Sequence, residues 1–284
     1  MTEPRNERRR TWRQLDPAGG RDLVDARLQL HHAAQFAAAF GISYLPAQPD
    51  DSHTNLEWID SLGALSSKAS GSANIRIAVR ASPFAILVLD AKASALATYP
   101  LDGRTIGDAA QWVRGQLATH GFDSGRYTLE RHYEIPRHRV DDGAAFESST
   151  SASSFRALAN WYANAAAALE PVVATVPNGS PVRCWPHHFD IATLIQVAPG
   201  KTVSLGMDPG DDDYPEPYFY ASVYPAPGAE APRDDLAGNG MWHTRNWIGA
   251  VLPASRLGAT GQQTQVDEFM SSAVRACKKL LVDS

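Results

Sequence analysis

The feature that most constrains the fold is a series of short strand patterns between two helix patterns, and this series occurs twice along the chain. In the first half, "ANIRIAVRAS" alternates apolar and polar residues and "FAILVLDA" is a continuous apolar run, while "DSHTNLEWID" and "SALATYPL" supply two further strands. In the second half, the strand patterns are "VRCWPHHFDIATLIQV", "KTVSLGMD", "YFYASVYP" and "HTRNWIGAVLP". Because short turns join neighbouring strands, we expect antiparallel pairing. The sequence therefore predicts an α+β fold with mostly antiparallel sheets.

Helix patterns precede and follow each series of strands. The first, "DLVDARLQLHHAAQFAAAFG", should stop at Gly41. The second, "TIGDAAQWVRGQLATHG", should have Thr105 as its N-cap and Gly121 as its C-terminal stop. "SASSFRALANWYANAAAALEPV" and "TQVDEFMSSAVRACKKLLV" enclose the second series. Each half thus reads as helix, four strands, helix, and the helices should cover the sheets.

The repeated order suggests a division of the chain and an internal duplication. The segment His53–Leu56, "HTNL", and the segment His188–Ile191, "HFDI", both fit the pattern His-x-(Asn/Asp)-aliphatic. We therefore take a pseudo-symmetric duplication as a hypothesis, with two halves packed as one globular unit. The predicted parts are a frayed polar arm at 1–21, a first half at 22–121, a connector at 122–150 and a second half at 151–284.

Composition excludes several classes of function. The net charge of −5 lacks the basic excess that phosphate backbones attract, so we expect no nucleic-acid partner. No window approaches the roughly 18 apolar residues of a membrane span, and no apolar stretch follows the charged N-terminus as it would in a signal peptide. The two cysteines, Cys184 and Cys277, are too few for a disulfide framework and should be buried free thiols. We therefore expect a cytoplasmic protein without a membrane partner.

Polar residues collect where the strand patterns begin, and these clusters are the candidate site. Read as a continuous strand, "RCWPHHFDIATLI" places His188 and Asp190 on one face, although both are poor strand formers and costly to bury without partners. Tryptophans and tyrosines beside the clusters could wall a pocket. The predicted ligand-binding residues are His53, Asn55, Trp185, His187, His188, Asp190, Glu216, Tyr218, Trp242 and His243.

Metal chemistry is the alternative use of the same residues. If His188, Asp190, Glu216 and His243 converge, they form a set of two histidines and two carboxylates that suits a divalent Zn, Mn or Fe ion. His53 or Glu57 would then be the catalytic group that moves protons. The sequence contains no Gly-x-Gly-x-x-Gly loop, Walker loop or Gly-x-Ser-x-Gly elbow, so nucleotide cofactors and serine hydrolysis have no support.

Several blocks of the sequence, read together, resemble a family of bacterial proteins of similar length. These blocks are "DDSHTNLEW", "WYANA", "VRCWPHHFDIATL", "EPYFY" and "WHTRNWIGAVLPASRL", and they run in this order from Asp50 to Leu257. The resemblance implies a bacterial origin and a family whose blocks include the polar clusters. It implies no activity, substrate, cofactor or catalytic residue.

Three functions remain open from the sequence. The first is a small-molecule-binding protein with a pocket lined by histidine, aspartate, glutamate and tryptophan side chains. The second is a metal-dependent hydrolase or lyase, and the third is a structural or interaction protein whose polar clusters satisfy one another. Convergence of the clusters around a metal position would favour the second, and a roomy pocket would favour the first.

Overall fold

The computed structural model describes residues 11–228, 231 and 233–282 and confirms the predicted α+β class. All strand pairing in its two sheets is antiparallel. The helices are α1 (Val24–Tyr44), α2 (Ile106–Thr119), α3 (Ala152–Thr175) and α4 (Gln262–Val282).

The first half contains a five-stranded meander rather than the four strands that the sequence predicts. The strands lie in chain order across the sheet, and the extra one is the short β2. The predicted strand "DSHTNLEWID" shortens to β1, because residues 51–54 form turns. The strands are β1 (Glu57–Ile59), β2 (Ala64–Ser66), β3 (Arg76–Arg80), β4 (Ala85–Leu89) and β5 (Ala95–Pro100).

The second half contains six strands in the spatial order β10-β11-β9-β8-β7-β6. Two of the four predicted strands are in fact pairs of strands, since a turn interrupts each pattern. The strands are β6 (Arg183–Cys184), β7 (Ile191–Ala198), β8 (Lys201–Asp208), β9 (Tyr218–Tyr224), β10 (Met241–His243) and β11 (Gly249–Pro253). Both halves run from helix through strands to helix, but with five and six strands, and the duplication stays a hypothesis.

The two sheets meet edge to edge. Leu56 and Cys184 exchange two backbone hydrogen bonds of 2.8 Å, which link the start of β1 to β6. One buried apolar cluster contains residues of α1, α3, α4 and both sheets. Helix α1 packs on the first sheet, α3 and α4 pack on the second, and α1 also contacts α3. Both cysteines are buried free thiols, as predicted.

Helix boundaries follow the predicted signals at α2 but not at α1. Thr105 and Asp108 form a reciprocal capping box at the start of α2, and Gly121 follows the helix with a φ of 81°. The predicted stop at Gly41 is wrong, because α1 continues to Tyr44. A Cβ at position 41 would lie 2.3 Å from the carbonyl oxygen of His53, so this glycine permits close packing rather than ending the helix.

Residues 11–21 of the predicted polar arm are hydrogen-bonded to the rest of the fold rather than frayed. Residues 11–21 include the buried Leu15, whose backbone N–H donates to Gln262 at 2.9 Å. The backbone N–H of Arg13 donates to Asn164 on α3, also at 2.9 Å. The rest of the predicted arm, residues 1–10, lies outside the described residues. Among those described, no helix combines the length and apolar character that crossing a membrane requires.

Candidate functional site

One face of the second sheet is apolar and covered, and the other is polar and partly open. Alternation along the strands directs Val203, Leu205 and Phe219 into the core, where α3 and α4 pack. The opposite face carries many small and hydroxylated residues. Ser204, for example, lies on this face between Leu194 of β7 and Ser222 of β9. The residues of this face on β7, β8 and β9 are Ala192, Leu194, Gln196, Thr202, Ser204, Gly206, Asp208, Tyr218, Tyr220, Ser222 and Tyr224.

Gly206 allows the ring of Tyr220 to lie across this face. The two residues are paired between β8 and β9, and a Cβ at position 206 would lie 2.8 Å from Cε1 of Tyr220. The same Cβ would lie 2.9 Å from the Cβ of Ala192 on β7. The ring can therefore cross β8, and its hydroxyl donates to Oδ2 of Asp190 at 2.5 Å.

The stretch from Trp185 to Asp190 is a turn between β6 and β7, so the prediction of one continuous strand is wrong. Its ends are joined by a hydrogen bond from the N–H of Trp185 to the carbonyl of Asp190 (2.9 Å). Phe189, buried within it, has a φ of 69°, a left-handed conformation that is strained for a bulky residue. His188 and Asp190 consequently lie near each other through the turn, rather than through the period of a strand.

Helices α1 and α3 hold the turn in this conformation. The ring of His31 stacks on Phe189 with centroids 4.5 Å apart, and its Nε2 lies 2.8 Å from the carbonyl oxygen of Pro186. Tyr162 donates to the carbonyl of Phe189 at 2.6 Å. Burial lowers the pKa of His31 to about 3, so its ring is neutral at pH 7. The conformation of the turn is thus fixed by buried side chains of α1 and α3.

In front of the turn lies an open cleft of about 500 Å³. Its floor is the polar face of β7, β8 and β9, and one wall is the turn. The loop before β1 supplies the other wall. The lining residues are Pro49, Asp50, Asp51, Trp185, His187, His188, Asp190, Ala192, Leu194, Ser204, Tyr220 and Ser222.

Asp190 is the most unusual group in the cleft. Its side chain is only 7% exposed, and its Oδ1 is buried with no hydrogen-bond partner among the described residues. Burial raises the pKa of Asp190, although the hydrogen bond from Tyr220 and the nearby His188 oppose the rise. Burial beside this carboxyl also raises the pKa of Tyr220 well above its usual value. Such a group favours a proton or a donor at Oδ1.

The two histidines of the turn differ in exposure. His188 is exposed, whereas His187 is half-buried and its ring lies 4.5 Å from that of His188. Burial, and then the proximity of His188, lowers the pKa of His187 to about 4. His187 is therefore a neutral imidazole at pH 7, able to accept or donate one hydrogen bond at each nitrogen according to its tautomer.

A second buried carboxyl lies at the end of β8 on the same face. Burial raises the pKa of Asp208 well above its usual value, and the charge of Asp190 adds to the rise. Asp208 accepts a hydrogen bond from the N–H of Gly210 at 2.8 Å. A Cβ at Gly210 would lie 2.2 Å from Nη1 of Arg27, so this glycine makes room for a buried guanidinium. Asp208 thus extends the polar network away from the cleft.

The predicted metal-binding set does not assemble. The buried carboxylate of Glu216 accepts from the N–H of Ser255 (2.6 Å) and from its hydroxyl (2.8 Å). Nδ1 of His243 lies 3.0 Å from the hydroxyl of Tyr214, and its ring stacks on Trp247. Within residues 11–228, 231 and 233–282, no three His, Cys, Asp or Glu side chains form a group that could hold a metal ion. Glu216 is thus satisfied locally, whereas Nε2 of His243 is buried without a hydrogen-bond partner among the described residues and lies 3.7 Å from Oδ2 of Asp213.

The other predicted site residues also lie outside the cleft lining. His53 accepts a backbone hydrogen bond from Gln48 at 3.2 Å, and Glu57 forms an ion pair with Arg76 at 2.8 Å. Neither of these predicted catalytic residues faces the cleft. Asn55 is buried beside the bridge between the two sheets. The hydroxyl of Tyr218 donates to Asp211, and the indole N–H of Trp242 donates to the carbonyl of Asp234.

Four predicted residues therefore share one site: Trp185, His187, His188 and Asp190. Tyr220 is one of the tyrosines expected to wall a pocket, whereas the serines of the floor are not among the predicted site residues. A signal for them exists, because "KTVSLGMD" and "YFYASVY" place small or hydroxylated residues at every second position opposite an apolar set. The register that pairs Gly206 with Tyr220 has no such signal.

Comparison with known proteins finds no matching family model, no matching curated protein and no similar solved structure. The family suggested by the sequence blocks stays a prediction.

Proposed function

We propose that this protein binds a small organic molecule in the cleft between the turn 185–190 and the loop 49–51. The observation that carries the proposal is Asp190, which lines the cleft and whose buried Oδ1 lacks a hydrogen-bond partner within the described part of the chain. A buried polar atom without a partner costs about 1–3 kcal/mol. A ligand that donates a hydrogen bond to Oδ1 would remove this cost, so binding of such a ligand is favoured.

The shape and lining of the cleft support the same function. Its volume of about 500 Å³ falls within the range of roughly 300–1,000 Å³ that small-molecule sites occupy. Trp185 and Tyr220 supply aromatic surface, while Ser204 and Ser222 supply hydroxyls on a rigid floor. A few polar groups around aromatic walls are typical of sites that orient one ligand.

Saturation-transfer difference NMR tests this proposal with polar fragments that carry an amine, alcohol, amide or carboxylate. The cleft-filling variant is Ser204→Tyr, since Ser204 lies on the floor, and the matched control is Thr150→Tyr at an exposed position before α3. We expect at least one class of fragment to bind the wild type and the control but not the cleft-filling variant. Signals that are absent, or equal in both variants, would refute a binding function for this cleft.

A further inference from the structure

We propose that the ligand of this cleft is a small organic cation whose protonated amine donates a hydrogen bond to Oδ1 of Asp190. This inference rests on the proposed function, because it names the chemical class of the molecule that the same cleft binds.

The first argument is the donor and acceptor pattern at Asp190. Tyr220 donates its hydroxyl to Oδ2, and Oδ1 has no partner in the described residues. Once ionised, this carboxyl accepts hydrogen bonds only, so the partner that Oδ1 then lacks is a donor. Hydrogen bonds between a charged donor and a carboxylate are about twice as strong as neutral ones, which makes an ammonium group the best match.

The second argument is the charge of the cleft. Its lining contains three carboxylates, Asp50, Asp51 and Asp190, and no lysine or arginine from the described residues. Asp51 contacts Nε2 of His132 at 2.9 Å, while Asp50 accepts from the backbone N–H of Ser52. A cleft lined by carboxylates attracts cations and repels a carboxylate or phosphate ligand.

The third argument is the arrangement of rings at the turn. Trp185 and His187 both line the cleft, with ring centroids 6.0 Å apart and an interplanar angle of 70°. A neutral imidazole adds no repulsive charge, and an indole attracts a cation placed over its face. An alkylammonium bound to Asp190 could therefore pack its carbon chain against these rings and place its charged group over the indole.

Binding of a cation should depend on the ionisation of Asp190. Burial raises the pKa of Asp190, and a cation beside the carboxyl would lower it again, because an opposite charge favours the ionised form. The affinity for an ammonium should therefore rise with pH until the carboxyl is fully ionised. The titratable groups that interact with Asp190 are Tyr220 of β9, Tyr162 of α3, Cys184 of β6, Asp208 of β8 and His188 of the turn.

The test compares three probes of nearly the same shape, n-butylammonium, n-butanol and n-butyrate, by NMR titration against the wild type. We expect the ammonium to bind more tightly than the alcohol and the carboxylate to bind least. The nearly isosteric variant Asp190→Asn should weaken ammonium binding by about 10- to 100-fold and leave the alcohol almost unchanged.

A second variant keeps the test decisive if Asp190→Asn fails to fold. The double change Asp50→Asn and Asp51→Asn lies in the loop wall, and asparagine suits position 51, where φ is 56°. It should weaken ammonium binding about two- to threefold and reduce its dependence on salt, as expected when rim charges are removed.

The outcomes separate this inference from the proposed function. If all three probes bind equally, or the carboxylate binds best, and Ser204→Tyr still removes them, the cleft is a binding site but not one for cations. If polar fragments of every class fail to bind in the cleft, both conclusions fall. Ammonium binding that is unaffected by Asp190→Asn and by the double change would also overturn the cation inference.

Discussion

Lowering the pH should destabilise this protein through His31, the buried histidine that holds the turn of the cleft. Its pKa falls from 6.5 to about 3 on folding, because burial disfavours the charged ring. The contribution of neutral His31 to stability is therefore complete above pH 6.5 and is lost as the pH falls towards 3, since the unfolded chain then binds a proton that the folded chain does not.

The magnitude follows from the two pKa values. At pH 5 the unfolded state gains RT ln(1 + 10^1.5) from protonation of this histidine, which is about 2 kcal/mol relative to pH 8. Two carboxyls act in the opposite direction. The pKa values of Asp190 and Asp208 are raised by burial, so their contributions favour the folded state at low pH and are lost as the pH rises.

Because the two effects oppose each other, the informative quantity is a difference between variants. Urea unfolding at pH 8 and pH 5 should show the wild type losing about 2 kcal/mol more than His31→Gln, whose amide can still donate to the carbonyl of Pro186. The control Leu30→Val removes a buried methylene from the same helix without removing a titratable group, and it should keep the pH dependence of the wild type. An identical pH dependence in the wild type and His31→Gln would refute the reasoning.

Three further substitutions test packing around the site. Gly206→Ala should cost about 1–3 kcal/mol in urea unfolding and abolish fragment binding, because its Cβ would displace the ring of Tyr220; unchanged binding would contradict the position of that ring. Gly41→Ala should lower the free energy of unfolding by about 3 kcal/mol or more, because its Cβ would meet the backbone of His53. A thermal midpoint equal to that of the wild type would contradict this close packing. Thr105→Ala should cost about 1 kcal/mol through loss of the capping box but leave fragment binding intact, as the NMR titration can check.

The sequence was sufficient for the fold class, because long alternating patterns such as β8 and strong caps such as Thr105 report local structure. It was insufficient for short strands: β2 has three residues, and its pairing partners lie elsewhere in the chain. It also hid the turn after Cys184. The apolar residues on both sides give a pattern that is typical of one continuous strand. The left-handed conformation of Phe189, in contrast, depends on packing against His31, which is distant in sequence.

The candidate site was predictable where polar residues conflict with their local context. Asp190 and the two histidines before it stood out because such residues are unfavourable next to a buried strand. Glu216 and His243 gave the same signal but lie outside the cleft, where Glu216 accepts from Ser255 and Nδ1 of His243 contacts Tyr214, which are partners that only the tertiary structure reveals. A conflict in the sequence thus identified buried polar groups, but not which of them lack a partner.

That distinction decides how Asp190 should be understood. A buried carboxyl with one unpartnered oxygen destabilises a fold, and an apolar residue of similar size at the same position would not require a donor at Oδ1. Glu216, by comparison, accepts two hydrogen bonds from Ser255 and can serve the fold alone. Asp190 instead combines an unpartnered acceptor, a tyrosine that donates to its other oxygen and a position in the lining of the cleft. Another molecule that completes its hydrogen bonds would offset this cost, and its binding should therefore raise the free energy of unfolding as the logarithm of its concentration once that concentration exceeds the Kd.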